Sequence, residues 1–278
     1  MEEKTAEVFI MGKFEGVLLA SDLDGTLYNS RGEITEPVRR ALRYFIENGG
    51  RFTVSTGRSK QGFHAYSSEY INAPVLLANG AMAYDYTEDR TLFADGVNEE
   101  ELQALSGVIE RFPGMSVEFY TADFRAYCIS PDDRSRRHFA GQDIVFTEIS
   151  DLSKLTFPVV KIMIGAGAQT LAVQKFLSGT DLGKIRYIPC TGDFIELLSV
   201  TAGKGRGLHR LADMLNIPRE RAFAAGDGSN DVDMLRCAAE GFVPENGDPL
   251  ALAAAGTVVR SCDDGAVAHV IEMLDSRF

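Results

Sequence analysis

Cysteine and histidine are scarce and scattered in this chain, bases are outnumbered by acids, and no apolar run is long. The four cysteines (Cys128, Cys190, Cys237, Cys262) lie far apart and form no close pair of the zinc-binding kind. They are expected to be free thiols in a reducing compartment. The four histidines (His64, His138, His209, His269) are equally dispersed, and only His64, just past a motif described below, invites a test. With 28 Lys and Arg against 40 Asp and Glu, the formal charge is −12. That balance argues against nucleic acid and anionic membranes as partners, while a local positive pocket could still take a small anion. No stretch approaches the roughly 18 apolar residues of a membrane span. The segment MEEKTAEVFIMGKFEG has acids where a secretion signal needs bases. A soluble cytoplasmic protein is expected, monomeric or a weak homo-oligomer.

What is present supports a sizeable core: 278 residues, 45% of them hydrophobic and 24% charged. Val17–Ala20 reads as a strand, and Thr35-Glu36-Pro37 as a helix start continued by Val38, Leu42, Phe45 and Ile46 until Gly49-Gly50. Phe52–Ser55 is a second strand, a helix is expected near 59–70, and Val75–Ala78 is a third strand. This β-α-β-α-β order predicts a parallel sheet with helices on its faces. From about 85 to 189 the style changes to short neighbouring strands (117–120, 125–129, 159–164) with helices near 98–111 and 168–178. Strands at 194–199, 221–225, 241–243 and 257–260 are then expected to resume the first pattern. The expected fold is a doubly wound, Rossmann-like α/β core formed by 1–84 and 190–278, with 85–189 inserted as an α+β domain.

Four stretches carry chemistry, each following a strand: Asp22-Leu23-Asp24-Gly25-Thr26, Ser55-Thr56-Gly57-Arg58, Gly203-Lys204-Gly205 and Gly226-Asp227-Gly228-Ser229-Asn230-Asp231. In doubly wound folds the crevice beyond the carboxyl ends of the strands holds the ligand, so all four can converge there. Side chains two apart on a strand share a face, which would crowd the Asp22 and Asp24 carboxylates unless the chain bends. An oxygen-only acidic cluster suits Mg²⁺ better than zinc. Thr56, Lys204 and Asn230 are donors suited to phosphate oxygens, and the glycines allow close backbone approach to an anion. Metal, phosphate cradle and carboxylate nucleophile together describe phosphoryl transfer through an aspartyl-phosphate.

The set DLDGT, STGR, GKG and GDGSND resembles the haloacid dehalogenase (HAD) superfamily of phosphohydrolases. The long insertion, Asn79-Gly80-Ala81 and the run Gly203–Leu208 resemble its Cof-type branch (subclass IIB), which carries a C2 cap. The resemblance implies a Mg²⁺-dependent phosphatase acting on small phosphate esters, most often sugar phosphates, with a cap that closes over the substrate. Asp22 would be nucleophile and metal ligand. Asp24 would be acid and then base, its backbone carbonyl on the metal. Thr56 and Gly57 would bind the phosphoryl group, a catalytic Lys204 would bind it too and neutralise its charge and the nucleophile's, and Asn230 would hydrogen-bond near the phosphoryl group or Lys204. Asp227 would bind Mg²⁺ directly and Asp231 through water.

Some choices stay open from the residues alone. Ser55 competes with Thr56, which is favoured by its place before Gly57-Arg58. Arg58 either touches substrate or pairs with an acid, and Asp231 can also cap the helix that follows it. In the insert, Asp123, Asp132, Asp133, Arg134, Arg136 and Arg137 either read a ligand or form a solvated loop. Gly165-Ala166-Gly167-Ala168-Gln169-Thr170 has Thr170 where a dinucleotide fingerprint needs glycine, and Gly205 stands where a P-loop needs Ser or Thr. A phosphosugar mutase and a catalytically silent phosphometabolite-binding regulator are the alternative functions.

Overall fold

The computed structural model describes residues 12–188 and 193–278, so Cys190 and the expected boundary at 189/190 lie outside the described residues. The first stretch folds as β1 (Leu18–Ser21), α1 (Glu36–Glu47), β2 (Arg51–Val54), β3 (Val75–Leu77), β4 (Met82–Asp85) and β5 (Arg90–Ala94). The middle holds α2 (Glu99–Leu102), α3 (Ser106–Arg111), β6 (Ser116–Thr121), β7 (Ala126–Ile129) and α4 (Asp133–Gly141). It continues with β8 (Thr147–Ile149), β9 (Val159–Gly165), α5 (Thr170–Ser178), β10 (Ile185–Ile188) and β11 (Phe194–Ser199). The last part is α6 (Lys204–Met214), β12 (Ala222–Ala225), α7 (Val232–Cys237), β13 (Gly241–Pro244), α8 (Pro249–Ala254), β14 (Thr257–Val259) and α9 (Ala266–Arg277).

Five strands form a parallel sheet in the order β14-β13-β12-β1-β2. A single parallel bridge, Ser55 to Leu76, ties β3 to its edge. The strands read as unbroken apolar runs because both faces are covered. Leu19, Val54, Phe223 and Ala225 pack with Val38, Leu42 and Phe45 of α1 and Val270 and Leu274 of α9. Leu18, Ala20, Ala222 and Ala224 face the other way, onto Leu208 and Leu211 of α6 and Met234 of α7. The doubly wound core expected from the sequence is therefore present.

The insert is a six-stranded sheet, β10-β11-β9-β6-β7-β8, antiparallel except for the β7–β8 pair. One face buries Val117, Phe119, Ile162, Ile164, Ile195 and Leu197 beneath Leu102, Val108, Val173 and Leu177 of its helices. The opposite face, carrying Lys161 and Glu196, lies against the core loops.

Three expectations need correction. Residues 194–199 pair antiparallel with β9 and β10, so this strand belongs to the inserted sheet rather than the parallel one. At the other edge, Arg90–Ala94 pairs with β4, so the expected start of the insert at 85 cuts through a three-stranded sheet, β3-β4-β5. Residues 59–70 form turns rather than a helix. Side chains in and just before this stretch are held by separate neighbours: Arg58, immediately ahead of it, on Asp24, Gln61 on the Phe124 carbonyl, and His64 on the Gln142 carbonyl. The Lys60 ammonium lies 4.7–5.4 Å from the ring centres of Tyr84, Tyr86 and Phe124. These tertiary contacts outweigh local helical pattern.

Between β3 and β4 the chain makes a turn in which Ala78, Asn79 and Gly80 all have left-handed backbone angles (φ +50°, +52° and +76°). Such a run is costly for side-chain-bearing residues and persists only where surroundings enforce it. Here the Asn79 N–H donates to the Thr56 carbonyl at 2.9 Å, while Gly80 packs against the peptide before Lys204. A methyl group on Gly80 would lie 2.3 Å from the Gly203 carbonyl oxygen. Gly80→Ala is expected to destabilise the protein by about 3 kcal/mol, combining left-handed strain with overpacking. Urea unfolding of the variant measures this, and a change within experimental error would contradict it.

Candidate active site

The Asp22 N–H donates to the Ala225 carbonyl at 2.8 Å, which places this residue at the carboxyl end of the central strand pair. The chain then leaves the sheet in a wide turn, Leu23–Leu27, closed by the Tyr28 N–H on the Leu23 carbonyl at 2.7 Å. This bend separates the two acids. Asp22 stays buried, whereas the Asp24 side chain is 55% exposed and is gripped by Arg58 through bonds of 3.0 and 2.7 Å. The crowding expected between Asp22 and Asp24 is thus absent. The acids that crowd Asp22 come from the loop after β12: Asp22, Asp227 and Asp231 each offer an oxygen within 4.8 Å of the others.

Lys204, the first residue of α6, is buried among them. Its Nζ donates to Asp22 Oδ1 and Asp231 Oδ1, both at 2.6 Å. The second Asp231 oxygen accepts the backbone N–H groups of Asp227 and Gly228 at 3.1 and 2.9 Å, so its side chain closes the preceding loop and does not cap α7. The Thr26 hydroxyl holds Asp227 at 2.7 Å, and Gly25 lies so close that a methyl group there would reach an Asp227 oxygen at 2.5 Å. Burial pushes the Asp22 carboxyl up to about 8; Lys204 pulls it down, and Asp231 and Asp227 push it further up. Burial also raises Asp227, against the Thr26 hydrogen bond. For Lys204, burial acts downward but Asp22 and Asp231 outweigh it, so its pKa is raised. One ammonium therefore faces three carboxylates, an all-oxygen set short of positive charge and fit for a hard divalent cation.

The cluster opens into a cleft of about 370 Å³ lined by Asp22, Asp24, Thr56, Gly57, Arg58 and Asn230 among others. Of the two candidate hydroxyls, Thr56 lines this cleft; the Ser55 hydroxyl is buried without a partner beside β3 and does not. The Thr56 oxygen accepts the Arg58 N–H at 3.2 Å, which leaves its own proton for an oxygen in the cleft. Arg58 resolves as the partner of Asp24, and His64 touches the insert rather than the cleft. The charged loop residues of the insert lie elsewhere: Asp132 caps α4 and pairs with Arg134 at 2.6 Å, Asp123 accepts from Thr121 and Thr156, and Arg136 is 3.8 Å from Glu148. The Arg134 guanidinium packs on Gly167, which accounts for the glycine in the false fingerprint.

Motif reasoning included Thr26 and Asn79 without giving them a role, and it missed Gln142, Lys161 and Glu196. Gln142 and Lys161 line the cleft from the insert. The only trace of Lys161 and Glu196 in the sequence is a lone charge inside an apolar strand, in Val159-Val160-Lys161-Ile162 and Ile195-Glu196-Leu197.

A doubly wound core that gathers a carboxylate, a buried lysine and an acidic cluster at the sheet's ligand-binding edge is the framework of a phosphoryl-transfer enzyme. The sequence matches the haloacid dehalogenase-like hydrolase family over residues 19–271, and the chain belongs to that family. It is 25% identical to the Bacillus subtilis 5-amino-6-(5-phospho-D-ribitylamino)uracil phosphatase YwtE, covering 92% of this chain and 97% of that one. It is 28% identical to the phosphatase YwpJ of the same organism, covering 92% and 99%. Its fold superposes on a HAD subclass IIB sugar phosphatase with a TM-score of 0.80 at 20% identity, over 92% of this chain and 98% of that one. The chain is a phosphoric monoester hydrolase of the HAD type with the subclass IIB architecture.

Because the folded state holds the Asp22 proton up to about 8 against an ordinary value of 3.8, this group favours the metal-free fold below about pH 4. That contribution falls as pH rises toward 8. Asp22→Asn, which does not titrate, is therefore expected to gain stability relative to the parent protein between about pH 4 and 8 and to level off above. Urea unfolding of both proteins in EDTA across that range measures the difference, and a flat difference would contradict the raised pKa.

Proposed function

We propose that the chain is a Mg²⁺-dependent phosphatase of small phosphorylated metabolites, most often sugar or polyol phosphates, acting through an aspartyl-phosphate on Asp22. The observation that carries this is the Lys204-centred carboxylate cluster at the base of a cleft walled by Thr56, Gly57 and Asn230. Asp22 and Asp227, with the Asp24 backbone carbonyl and Asp231 behind them, would hold Mg²⁺, which supplies positive charge to the phosphoryl oxygens and the crowded acids.

A free Asp22 oxygen attacks phosphorus while Lys204 keeps the other oxygen in place and offsets its charge. The Thr56 hydroxyl and the Asn230 amide donate to phosphoryl oxygens. As the P–O bond breaks, the departing oxygen takes a proton from Asp24, which must first leave its fork on Arg58 and take up that proton from solvent. Asp24, now a carboxylate, draws a proton from water as that water attacks the aspartyl-phosphate. Phosphate is released and Asp22 regenerated. The inserted sheet, seated on the core loops through Lys161 and Glu196, limits water around the cleft.

The leaving-group class is supported by cleft volume, which suits one small metabolite, and by relatives named for a ribityl phosphate and a sugar phosphate. A mutase would need a second anion cradle. Among the described residues, the two cations lining the cleft, Arg58 and Lys161, are both matched by carboxylates, Asp24 and Glu196.

Asp22→Asn is expected to lower phosphate release from a panel of sugar and polyol phosphates by at least about 1,000-fold with the fold intact. Near-parental turnover would remove Asp22 as nucleophile. EDTA is expected to abolish activity and Mg²⁺ to restore it; full activity in chelator would refute the metal assignment.

A further inference from the structure

Two charges of the insert stand where its sheet meets the catalytic loops. Lys161 on β9 and Glu196 on β11 are each more than nine-tenths buried and lie 3.5 Å apart. Each also reaches a core residue. Lys161 Nζ donates to the Gly57 carbonyl at 2.6 Å. Glu196 Oε1 accepts from Asn79 Nδ2 at 2.6 Å, and Asn79 Oδ1 in turn accepts from Asn230 Nδ2 at 3.0 Å.

This chain has a fixed polarity. An ionised carboxylate only accepts, so Asn79 must turn its NH₂ toward Glu196 and its oxygen toward Asn230. That oxygen then holds one N–H of the Asn230 amide and leaves the second for an acceptor in the cleft Asn230 lines. The strained left-handed turn around Asn79 shows that the protein sustains a conformational cost at the middle of this relay. An ion pair made only for stability would need neither core contact, and apolar residues would serve as well.

We propose that Glu196 is a positioning residue for phosphate binding. Through Asn79 it sets the amide of Asn230, while Lys161 fixes the Gly57 carbonyl, so that the seated insert completes the phosphate cradle. The proposal rests on the phosphatase reading above, and its test separates the two.

The probe is inorganic phosphate titrated calorimetrically into the full chain with saturating Mg²⁺, alongside hydrolysis of p-nitrophenyl phosphate and glucose 6-phosphate. Glu196→Ala and Asn79→Ala are each expected to weaken phosphate binding about 10-fold, the scale of one oriented hydrogen bond. Both should lower kcat/KM for the two esters by the same factor, because the relay ends on the phosphoryl group they share. The double variant should lose no more than the worse single one, and Glu196→Gln, which keeps an acceptor for Asn79, should recover most of the loss. Unchanged phosphate affinity in Glu196→Ala, additive losses, or a loss confined to one ester would overturn the proposal. If stranding Lys161 prevents Glu196→Ala from folding, Lys161→Met combined with Glu196→Leu removes both charges, and parental phosphate affinity in that variant overturns it equally. A parent protein that binds phosphate but hydrolyses no ester would refute the phosphatase reading, while the phosphate titrations would still decide the relay.

Discussion

The buried contact of Lys204 with Asp22 and Asp231 is the interaction on which the rest of the structure depends. Ammonium and carboxylates lose several kcal/mol each on leaving water, and only close pairing with further hydrogen bonds offsets this. Much of the surrounding architecture serves that pairing. The parallel strands bring residues 22 and 227–231 side by side, Gly80 lets the 78–81 turn press against the peptide preceding Lys204, and two backbone N–H groups complete Asp231. Lys204 occupies a helix start, where the dipole disfavours a cation, and the carboxylates more than outweigh that local cost. The remaining excess of negative oxygen is what makes the site receptive to a divalent ion.

The core was legible because its strands are buried on both faces and therefore read as apolar runs, with glycine and proline marking the ends of α1. Three of the four motifs were legible for a related reason: they follow β1, β2 and β12 of the parallel sheet, whose strand ends converge, whereas Lys204 reaches the same place after β11 of the inserted sheet. Legibility failed where meaning depends on a partner distant in sequence. Nothing local to Arg58 says that it grips Asp24, and nothing between 59 and 70 reveals that Lys60, Gln61 and His64 are each held by residues distant in sequence. The apolar pattern of 194–199 suits either sheet, and only hydrogen bonding to β9 and β10 decides that it belongs to the inserted one.

The insert is more than a cover laid over a finished site. The face under α2, α3 and α5 is conventional core, whereas the opposite face, packed in part by Phe139 of α4, brings Lys161 and, from the end of α4, Gln142 to the cleft and Glu196 to Asn79. Lone charges in otherwise apolar strands mark that second face. The loops after β1, β2 and β12 thus gather the carboxylates, Thr56 and Asn230 around the cleft, and the inserted sheet contributes Lys161 and Glu196, which hydrogen-bond to Gly57 and Asn79 of the core.

The route of the chain between the two sheets also has a mechanical side. β11 ends at Ser199 and α6 begins with Lys204, so residues 200–203 alone join the inserted sheet to the buried ammonium. So short a tether transmits torque. A shift of β11 against the parallel sheet would reach the Lys204 backbone through only four residues, so the seating of the insert and the placement of the central charge are linked along the chain.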